Sequence, residues 1–306
     1  MMRVALFLAL AVGASSKKVL MVLTSQDALG AGGNQTGWYL PEAAHPAAVF
    51  AEAGVGMAWA SPGGGEAPVD EGSAEAYKDD EVCKAFLASD DWRNTEKLSE
   101  VKPDDFDAVF VVGGYGVMWD LVGNADLESI VSGIWEDHGI VSGVCHGPAA
   151  LVGVKLKDGT SLVKGKEVAC FTNAEEDALG RRDIVPKTCE DAYGEAGAKF
   201  TSGKPWTDHI AEAGRLITGQ NPMSAKSTAE AVVKALESEE EPEEKWQAVG
   251  ALRVLPGTSS ALLPSLASAA LLGFLLVAAR LARTPPREVA CADEELLAEE
   301  AGQAFQ

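Results

Sequence analysis

The chain is poor in basic residues: 25 lysines and arginines stand against 46 aspartates and glutamates in 306 residues, a formal net charge of -21. Such an excess of negative charge repels phosphates, so nucleic-acid binding is not expected. The sequence also has only four histidines, at no spacing typical of a metal site, and it lacks a phosphate-binding loop with Lys and Ser or Thr. We therefore expect neither a metal ion nor a cofactor.

Charge is also scarce in two apolar stretches, one near each end of the chain. The first follows an arginine at position 3, runs uncharged from Val4 to Val12 and ends in small residues at positions 13–15. This pattern is typical of a secretory signal peptide and is too short to cross a bilayer. We therefore expect residues 1–15 to be a signal peptide.

The second stretch carries no charge between Arg253 and Arg280, and residues 261–279 are apolar or small throughout. At about 1.5 Å per residue, this run spans about 30 Å of hydrocarbon. Glutamates precede it and arginines follow it, so the positive-inside rule places the C-terminus in the cytosol. The sequence thus predicts a single-pass type I membrane protein with a lumenal or extracellular catalytic domain. Small residues at four-residue spacing on this helix suggest a homodimer.

These ends divide the chain into five parts: a signal peptide (1–15), a catalytic domain (17–236), an acidic linker (237–260), a transmembrane helix (261–280) and a cytosolic tail (281–306). Within the catalytic domain, short apolar runs such as Lys18–Leu23 and Ile140–Val144 alternate with segments of helix length. This alternation predicts an α/β fold with a mostly parallel sheet covered on both faces. Ligands bind at the carboxyl ends of such strands.

The segment Gly139–Ala150 indicates chemistry most directly. An apolar strand runs into Cys145, and a Gly-Pro pair after His146 opens a helix. The pattern predicts a sharp strand-to-helix turn that exposes the thiol at the positive end of a helix dipole, where a thiolate is stabilised. Backbone N–H groups at such a turn can hold an oxyanion. We therefore expect covalent catalysis at a carbonyl carbon, the alternative being a buried structural cysteine.

A glycine-rich turn, Gly113–Gly116, follows the predicted strand Asp107–Val112. Glycines permit tight backbone geometry and can bring N–H groups close to a substrate oxygen. The turn therefore predicts a second element of the same site. A simple loop at the end of a strand is the alternative.

Seven motifs occur in order in the catalytic domain: Leu23–Ser25, Thr36–Glu42 with His45-Pro46, Ala60–Gly64, Gly113–Gly116 with Trp119-Asp120, Val144–Pro148, Phe171–Glu176 and Thr218–Pro222. Together they resemble the class I glutamine amidotransferase-like superfamily, in the DJ-1/PfpI branch of glutathione-independent glyoxalases (glyoxalase III) and heat-shock chaperones. The resemblance implies a flavodoxin-like three-layer sandwich. It implies a lyase that converts methylglyoxal-type 2-oxoaldehydes to 2-hydroxy acids such as D-lactate. A holdase chaperone or protein deglycase, and a cysteine amidase or peptidase, are the alternatives.

The resemblance also implies roles for individual residues. Cys145 adds to the aldehyde, giving a hemithioacetal and then a thioester. His146 moves protons, Glu176 completes the triad and Glu42 forms a hydrogen bond to the thiol. Backbone N–H groups of Gly114 and His146 form the oxyanion hole.

Three of the expected site residues leave alternatives open. Glu42 follows a proline and could simply be an acid in the first turn of a helix, but beside a thiolate it should be protonated, with a raised pKa. Glu175 competes with Glu176 for the place beside the histidine. Tyr115, at a position where many members of the family have histidine, and Trp38 are expected to line the substrate pocket, although aromatic residues are more often part of a core.

Cysteines provide one further constraint. Four of the five precede the predicted membrane helix, at positions 83, 145, 170 and 189, and Cys291 follows it. If Cys145 is free for catalysis, three remain on that side. At least one of the three must then be unpaired within the monomer.

Overall fold

A computed structural model gives the fold, and it describes residues 17–238. Within that range nine strands occur: β1 (Lys18–Val22), β2 (Gly56–Ser61), β3 (Glu96–Lys97), β4 (Ala108–Val111), β5 (Ile140–Val144), β6 (Glu167–Val168), β7 (Lys199–Phe200), β8 (Ile210–Ala213) and β9 (Leu216–Gly219). Seven of them form a sheet in the order β3-β2-β1-β4-β5-β9-β8, while β6 and β7 pair separately. Neighbours in the large sheet are parallel except for β8 and β9.

The same range contains eight α-helices: α1 (Leu40–Glu52), α2 (Glu71–Ala76), α3 (Glu81–Leu87), α4 (Val117–Asp120), α5 (Ala125–Glu136), α6 (Asn173–Ala178), α7 (Cys189–Ala196) and α8 (Ala225–Ser238). Helices α1 and α8 pack against each other on one face of the sheet. Helices α5 and α7 contribute to the core on the other face. The result is a sandwich of three layers.

The apolar runs in the sequence reflect burial of the sheet on both faces. Along β1, Leu20 and Val22 belong to the core that includes α5, whereas Val19 and Met21 belong to the core that includes α1 and α8. Such a strand reads as continuously hydrophobic because neither face meets water. The predicted α/β fold with mostly parallel strands is therefore confirmed for the described residues.

The transmembrane part of the fold prediction is corrected. Among residues 17–238, no helix is long and apolar enough to cross a membrane. Helix α8, the longest of them, has 14 residues and carries the exposed ion pair Lys226–Glu230, whereas a spanning helix needs about 20 apolar residues. The segment 261–280 lies outside the described residues, as do the predicted signal peptide 1–15 and tail 281–306. The transmembrane helix, the type I topology and the lumenal location are accordingly withdrawn.

The cysteines divide into a pair and two free thiols in the described part of the chain. Cys170 and Cys189 form a disulfide, and Cys83 and Cys145 are free and buried. Cys83 is therefore the unpaired residue that the count of cysteines required. The disulfide joins Cys170, which follows β6, to Cys189 in the first turn of α7. It therefore fixes the segment that leads into α6.

We expect the disulfide to stabilise this region of the fold. It joins residues 19 apart in sequence, and closing a loop of that size stabilises a protein by about 3 kcal/mol in the chain-entropy model. Cys189→Ser should lower the free energy of unfolding in urea by a comparable amount. A reductant should shift wild type towards the variant and leave the variant unchanged. Identical midpoints for oxidised and reduced wild type would contradict the expectation.

Candidate active site

Cys145 lies at the carboxyl end of β5 in a conformation that few residues adopt. Its φ of +59° is in the left-handed region, which costs a non-glycine residue about 1–3 kcal/mol. Two backbone hydrogen bonds hold it there: its N–H donates to the Gly219 carbonyl at 3.0 Å, and its carbonyl accepts from the Phe171 N–H at 3.1 Å. The sharp turn expected from the sequence is present, and the chain on both sides of it maintains the strain.

The helix after this turn is shorter than the sequence suggested. Residues Gly147–Leu151 form a 3₁₀ helix of five residues rather than an α-helix, so the aligned dipole next to Cys145 is small. The thiol itself is buried, with 1% of the residue exposed. Burial raises the pKa of Cys145, the charge of Glu42 adds to this effect, and the backbone N–H of His146 opposes it. The expectation of an exposed, stabilised thiolate is therefore wrong for the resting site.

A chain of hydrogen bonds leads from the thiol to a buried carboxylate. The Cys145 Sγ lies 3.5 Å from His146 Nδ1, and His146 Nε2 lies 2.8 Å from Glu176 Oε1. The other Glu176 oxygen accepts the phenol proton of Tyr115 at 2.9 Å. An ionised carboxylate only accepts, so Nε2 carries the imidazole proton and Nδ1 presents its lone pair to the thiol.

Aromatic rings fix the imidazole in this orientation. The His146 ring centre lies 4.3 Å from that of Tyr115 and 4.6 Å from that of Phe171, with interplanar angles of 40° and 32°. Burial raises the pKa of Tyr115, so its phenol remains a hydrogen-bond donor. Tyr115 thus supports both His146 and Glu176. The Tyr115 hydroxyl donates to the triad carboxylate, and its role in lining a substrate pocket remains a prediction.

Trp38 also differs from the expectation. Its indole is fully buried, donates to the Ala67 carbonyl at 3.0 Å, and packs against Phe86 and Trp92 with ring centres 5.8 and 5.7 Å away. The side chain therefore belongs to the core, and its assignment as a substrate-binding residue is withdrawn. The sequence could not distinguish a core residue from a substrate-binding residue here, because the motif places only the backbone of Trp38 beside the site.

Glu42, in the first turn of α1, approaches Cys145 through the space beside Gly113. A Cβ atom built on Gly113 would lie 2.2 Å from Glu42 Oε2 and 2.8 Å from the Cys145 Cβ, so only glycine leaves room for this approach. Both carboxyl oxygens are buried and neither makes a well-aligned hydrogen bond. Burial raises the pKa of Glu42, while the Cys145 thiol and the Gly113 N–H partly oppose the shift. A protonated Glu42 was also expected from the sequence, but because of the nearby thiolate. In the structure, burial is the larger cause of the raised pKa.

The adjacent glutamates of α6 have different partners. Glu176 contacts His146, whereas Glu175 Oε1 accepts from the Trp206 backbone N–H at 2.9 Å and from the amides of Gln220 and Asn221 at 3.1 and 2.8 Å. The other oxygen of Glu175 completes a capping box with the residue before α6. Glu175 therefore joins α6 to the segment after β9, and Glu176 is the carboxylate that faces the imidazole.

Gly114, a predicted oxyanion-hole residue, lies where the chain can accept only glycine. Its φ is +106°, and a Cβ atom there would lie 2.3 Å from the Gly37 carbonyl oxygen. The second predicted donor, the His146 N–H, acts on the Cys145 sulfur, because it lowers the pKa of that thiol. An oxyanion hole formed by these two N–H groups remains a prediction.

One charged residue near the site was not found from the sequence. The guanidinium carbon of Arg181 lies 4.6 Å from the centre of the Tyr115 ring. Burial raises the pKa of Asp70, and the charge of Arg181 opposes that shift. Arg181 is one of two consecutive arginines after α6, and nothing in that pattern distinguishes it from a solvent-exposed pair.

A parallel α/β sandwich with a Cys-His-Glu triad on a strained strand end defines a class of cysteine-nucleophile proteins. The model of the DJ-1/PfpI family matches residues 38–235, and the chain belongs to this family. Two curated relatives are "Glyoxalase 3" of Candida albicans, 33% identical over 72% of this chain and 98% of its own length, and "Glutathione-independent glyoxalase HSP31" of Saccharomyces cerevisiae, 34% identical over 72% and 99%.

Two solved structures are similar over the same region. The glyoxalase III of Candida albicans has a TM-score of 0.63 at 32% identity, covering 72% of this chain and 97% of its own. The Rapid Encystment Protein of 24 kDa from Francisella tularensis has a TM-score of 0.69 at 37% identity, covering 72% and 99%. At these sequence identities, the similarity of both structures to this chain extends beyond the fold.

The two glutamates of α6 provide a matched test of the triad. Glu176→Gln removes the charge that orients and stabilises the imidazole, so turnover should fall by about 100-fold or more while the free energy of unfolding changes little. Glu175→Gln weakens a buried network around a charged acceptor and should lower that free energy by about 2–3 kcal/mol. Steady-state kinetics and urea unfolding separate the two effects. The reverse assignment of effects would show that Glu175 is the triad acid.

A second test addresses the electrostatic coupling between Glu42 and the Cys145 thiol. Because the charge of Glu42 raises the pKa of the thiol, Glu42→Gln should move the pH dependence of iodoacetamide alkylation to lower pH. The background is Cys83→Ser with Cys291→Ser, which leaves Cys145 as the free thiol. Adding Cys145→Ser should abolish alkylation. A midpoint that moves to higher pH in Glu42→Gln would contradict the coupling.

Proposed function

We propose that the protein is a glutathione-independent glyoxalase that converts 2-oxoaldehydes such as methylglyoxal to 2-hydroxy acids such as D-lactate. The observation that carries the proposal is that two proton-handling groups adjoin one buried thiol. These are the His146 imidazole, 3.5 Å from the Cys145 sulfur, and the buried Glu42 carboxyl. The conversion requires a proton to leave carbon 1 and reach carbon 2, and a second acid-base group beside the nucleophile supplies that transfer.

The first step is addition of the thiol to the aldehyde. His146 Nδ1 takes the proton of the Cys145 thiol as sulfur bonds to carbon 1. The protonated Glu42 gives its proton to the aldehyde oxygen, which becomes the hydroxyl of a hemithioacetal and leaves Glu42 as a carboxylate. The N–H groups of Gly114 and His146 stabilise the negative charge that develops on that oxygen. Glu176 stabilises the imidazolium that forms.

The next steps move a proton and release the product. The Glu42 carboxylate removes the proton from carbon 1, and the His146 imidazolium gives its proton to the oxygen on carbon 2, so that an enediol forms. Glu42 then returns the proton to carbon 2 and takes the proton of the hydroxyl on carbon 1, which gives a thioester of the 2-hydroxy acid. Water then attacks the thioester, the hydroxy acid leaves, and the proton returns to the Cys145 sulfur. The sum is one aldehyde and one water giving one acid, so no external oxidant, metal or glutathione is required.

The relatives support this reading of the site. The curated relatives in Candida albicans and Saccharomyces cerevisiae are named as glyoxalases, and they align with this chain over at least 98% of their own length. Because the alignment spans those whole proteins, the proposal does not depend on a shared fragment. Their names thus support a 2-oxoaldehyde as the small-molecule substrate.

Glutathione-free consumption of methylglyoxal tests the proposal. Purified protein should consume methylglyoxal and release an equal amount of lactate, whereas Cys145→Ala should lose this activity because it removes the thiol that lies 3.5 Å from His146 Nδ1. Cys83→Ser, which removes the other free thiol among residues 17–238, should retain it. Unchanged turnover in Cys145→Ala would overturn the proposal. So would protection of an unfolding client protein by wild type and Cys145→Ala alike, with no lactate from either.

A further inference from the structure

A second cluster of chemically active side chains lies outside the triad, where α1 meets α3. It contains His45 on α1, Asp80 immediately before α3 and Cys83 in the first turn of α3. One ligand atom from each of the three lies within 4.8 Å of the others. His45 Nε2 is 3.1 Å from Asp80 Oδ2 and 3.9 Å from the Cys83 sulfur. The catalytic steps proposed for the triad use none of them.

The local structure holds the three groups in place. Asp80 Oδ1 accepts the Cys83 backbone N–H at 2.8 Å and so caps α3, while Oδ2 faces the imidazole. One carboxylate oxygen therefore fixes the side chain and the other is available. Cys83 is fully buried, but the side chains of His45 and Asp80 are 26% and 31% exposed. The cluster is thus rigid on its inner side and open to solvent on its outer side.

The donor set and its spacing fit a borderline-soft divalent cation. Thiolate, imidazole and carboxylate are the ligands that Zn²⁺ combines in proteins. With metal–ligand bonds of about 2.0–2.3 Å in a tetrahedral site, ligand atoms lie about 3.3–3.8 Å apart. The observed separations of 3.1 and 3.9 Å fall close to that range. The open outer side leaves the fourth position for water.

The surrounding charge also favours a cation. Asp79 and Glu81 flank Asp80 in the sequence. Lys78 and Lys84 are nearby bases, and the ammonium group of each is paired with the glutamate three residues before it. Helix α3 has only seven residues, so the positive end of its dipole opposes a cation weakly.

We propose that His45, Asp80 and Cys83 bind a divalent zinc-type ion, with one water as the fourth ligand. On binding, the Cys83 S–H bond breaks, the proton leaves to solvent and a sulfur–metal bond forms with no change of oxidation state. Sequence spacing did not reveal the site, since His45 and Cys83 are 38 residues apart and only the fold brings them together. The alternative is a hydrogen-bonded helix cap that binds no ion.

Zinc alone is the probe for this site. The full chain, stripped with a chelator and dialysed against zinc chloride, should bind one ion that Cys83→Ser and Asp80→Asn weaken by about 10-fold or more. Asn keeps an oxygen to cap α3, so the second variant should remain folded, which thermal unfolding checks. Asp79→Asn, Cys145→Ser and Cys291→Ser are matched controls and should bind zinc as wild type does.

Cobalt(II) substitution gives a second readout of the same ligands. Bound cobalt should show a thiolate charge-transfer absorption that disappears in Cys83→Ser and persists in Cys145→Ser. The proposal would be overturned if wild type bound no zinc, or if zinc binding survived in Cys83→Ser and Asp80→Asn. Loss of binding in Cys145→Ser or Cys291→Ser instead would assign the ion to another thiol and would equally overturn it.

Discussion

The burial of several acidic groups beside one another is the constraint on which the site depends. Cys145, Glu42, Glu175 and Glu176 are all essentially inaccessible to water, and uncompensated negative charges there would cost several kcal/mol each. Each group meets this cost differently. Glu175 accepts hydrogen bonds from the residue before α6, from Trp206 and from the segment after β9. Glu176 faces an imidazole and a phenol, and Glu42 and Cys145 retain protons.

The backbone around the nucleophile is arranged to make that burial possible. Strands β4 and β5 run parallel with Val111 opposite Gly143, so the residues that follow each strand meet at one edge of the sheet. Gly113 leaves the space through which Glu42 reaches the thiol. The left-handed conformation of Cys145 turns its side chain towards that space, and backbone hydrogen bonds to Gly219 and from Phe171 maintain it. Strain at one residue is thus balanced by hydrogen bonds to β9 and to the segment before α6.

Much of this arrangement could be predicted from the sequence, and the failures have physical causes. Apolar runs marked the strands, and the Gly-x-Cys-His-Gly pattern marked the turn, because a doubly buried parallel sheet and a tight elbow leave strong local signals. The difference between Glu175 and Glu176 left no such signal, since it depends on which way one turn of α6 faces. The burial of Trp38 and the position of Arg181 depend on packing between distant segments. The shortness of the helix after Cys145 was hidden by a Gly-Pro start that suits α- and 3₁₀-helices alike. The burial that raises the pKa of the thiol likewise depends on packing between distant segments.

The raised pKa of Cys145 is compatible with chemistry at an aldehyde. An amide is a poor electrophile, so a cysteine that attacks an amide must already be a thiolate. A buried site without a strong helix dipole stabilises a thiolate poorly. An aldehyde is far more electrophilic, and addition of a thiol to it needs the thiol proton to end on the new hydroxyl. A neutral thiol with a base at Nδ1 and a protonated carboxyl beside it already contains every proton that the hemithioacetal needs. The same burial that disfavours a free thiolate therefore keeps the protons in place for isomerisation of a 2-oxoaldehyde.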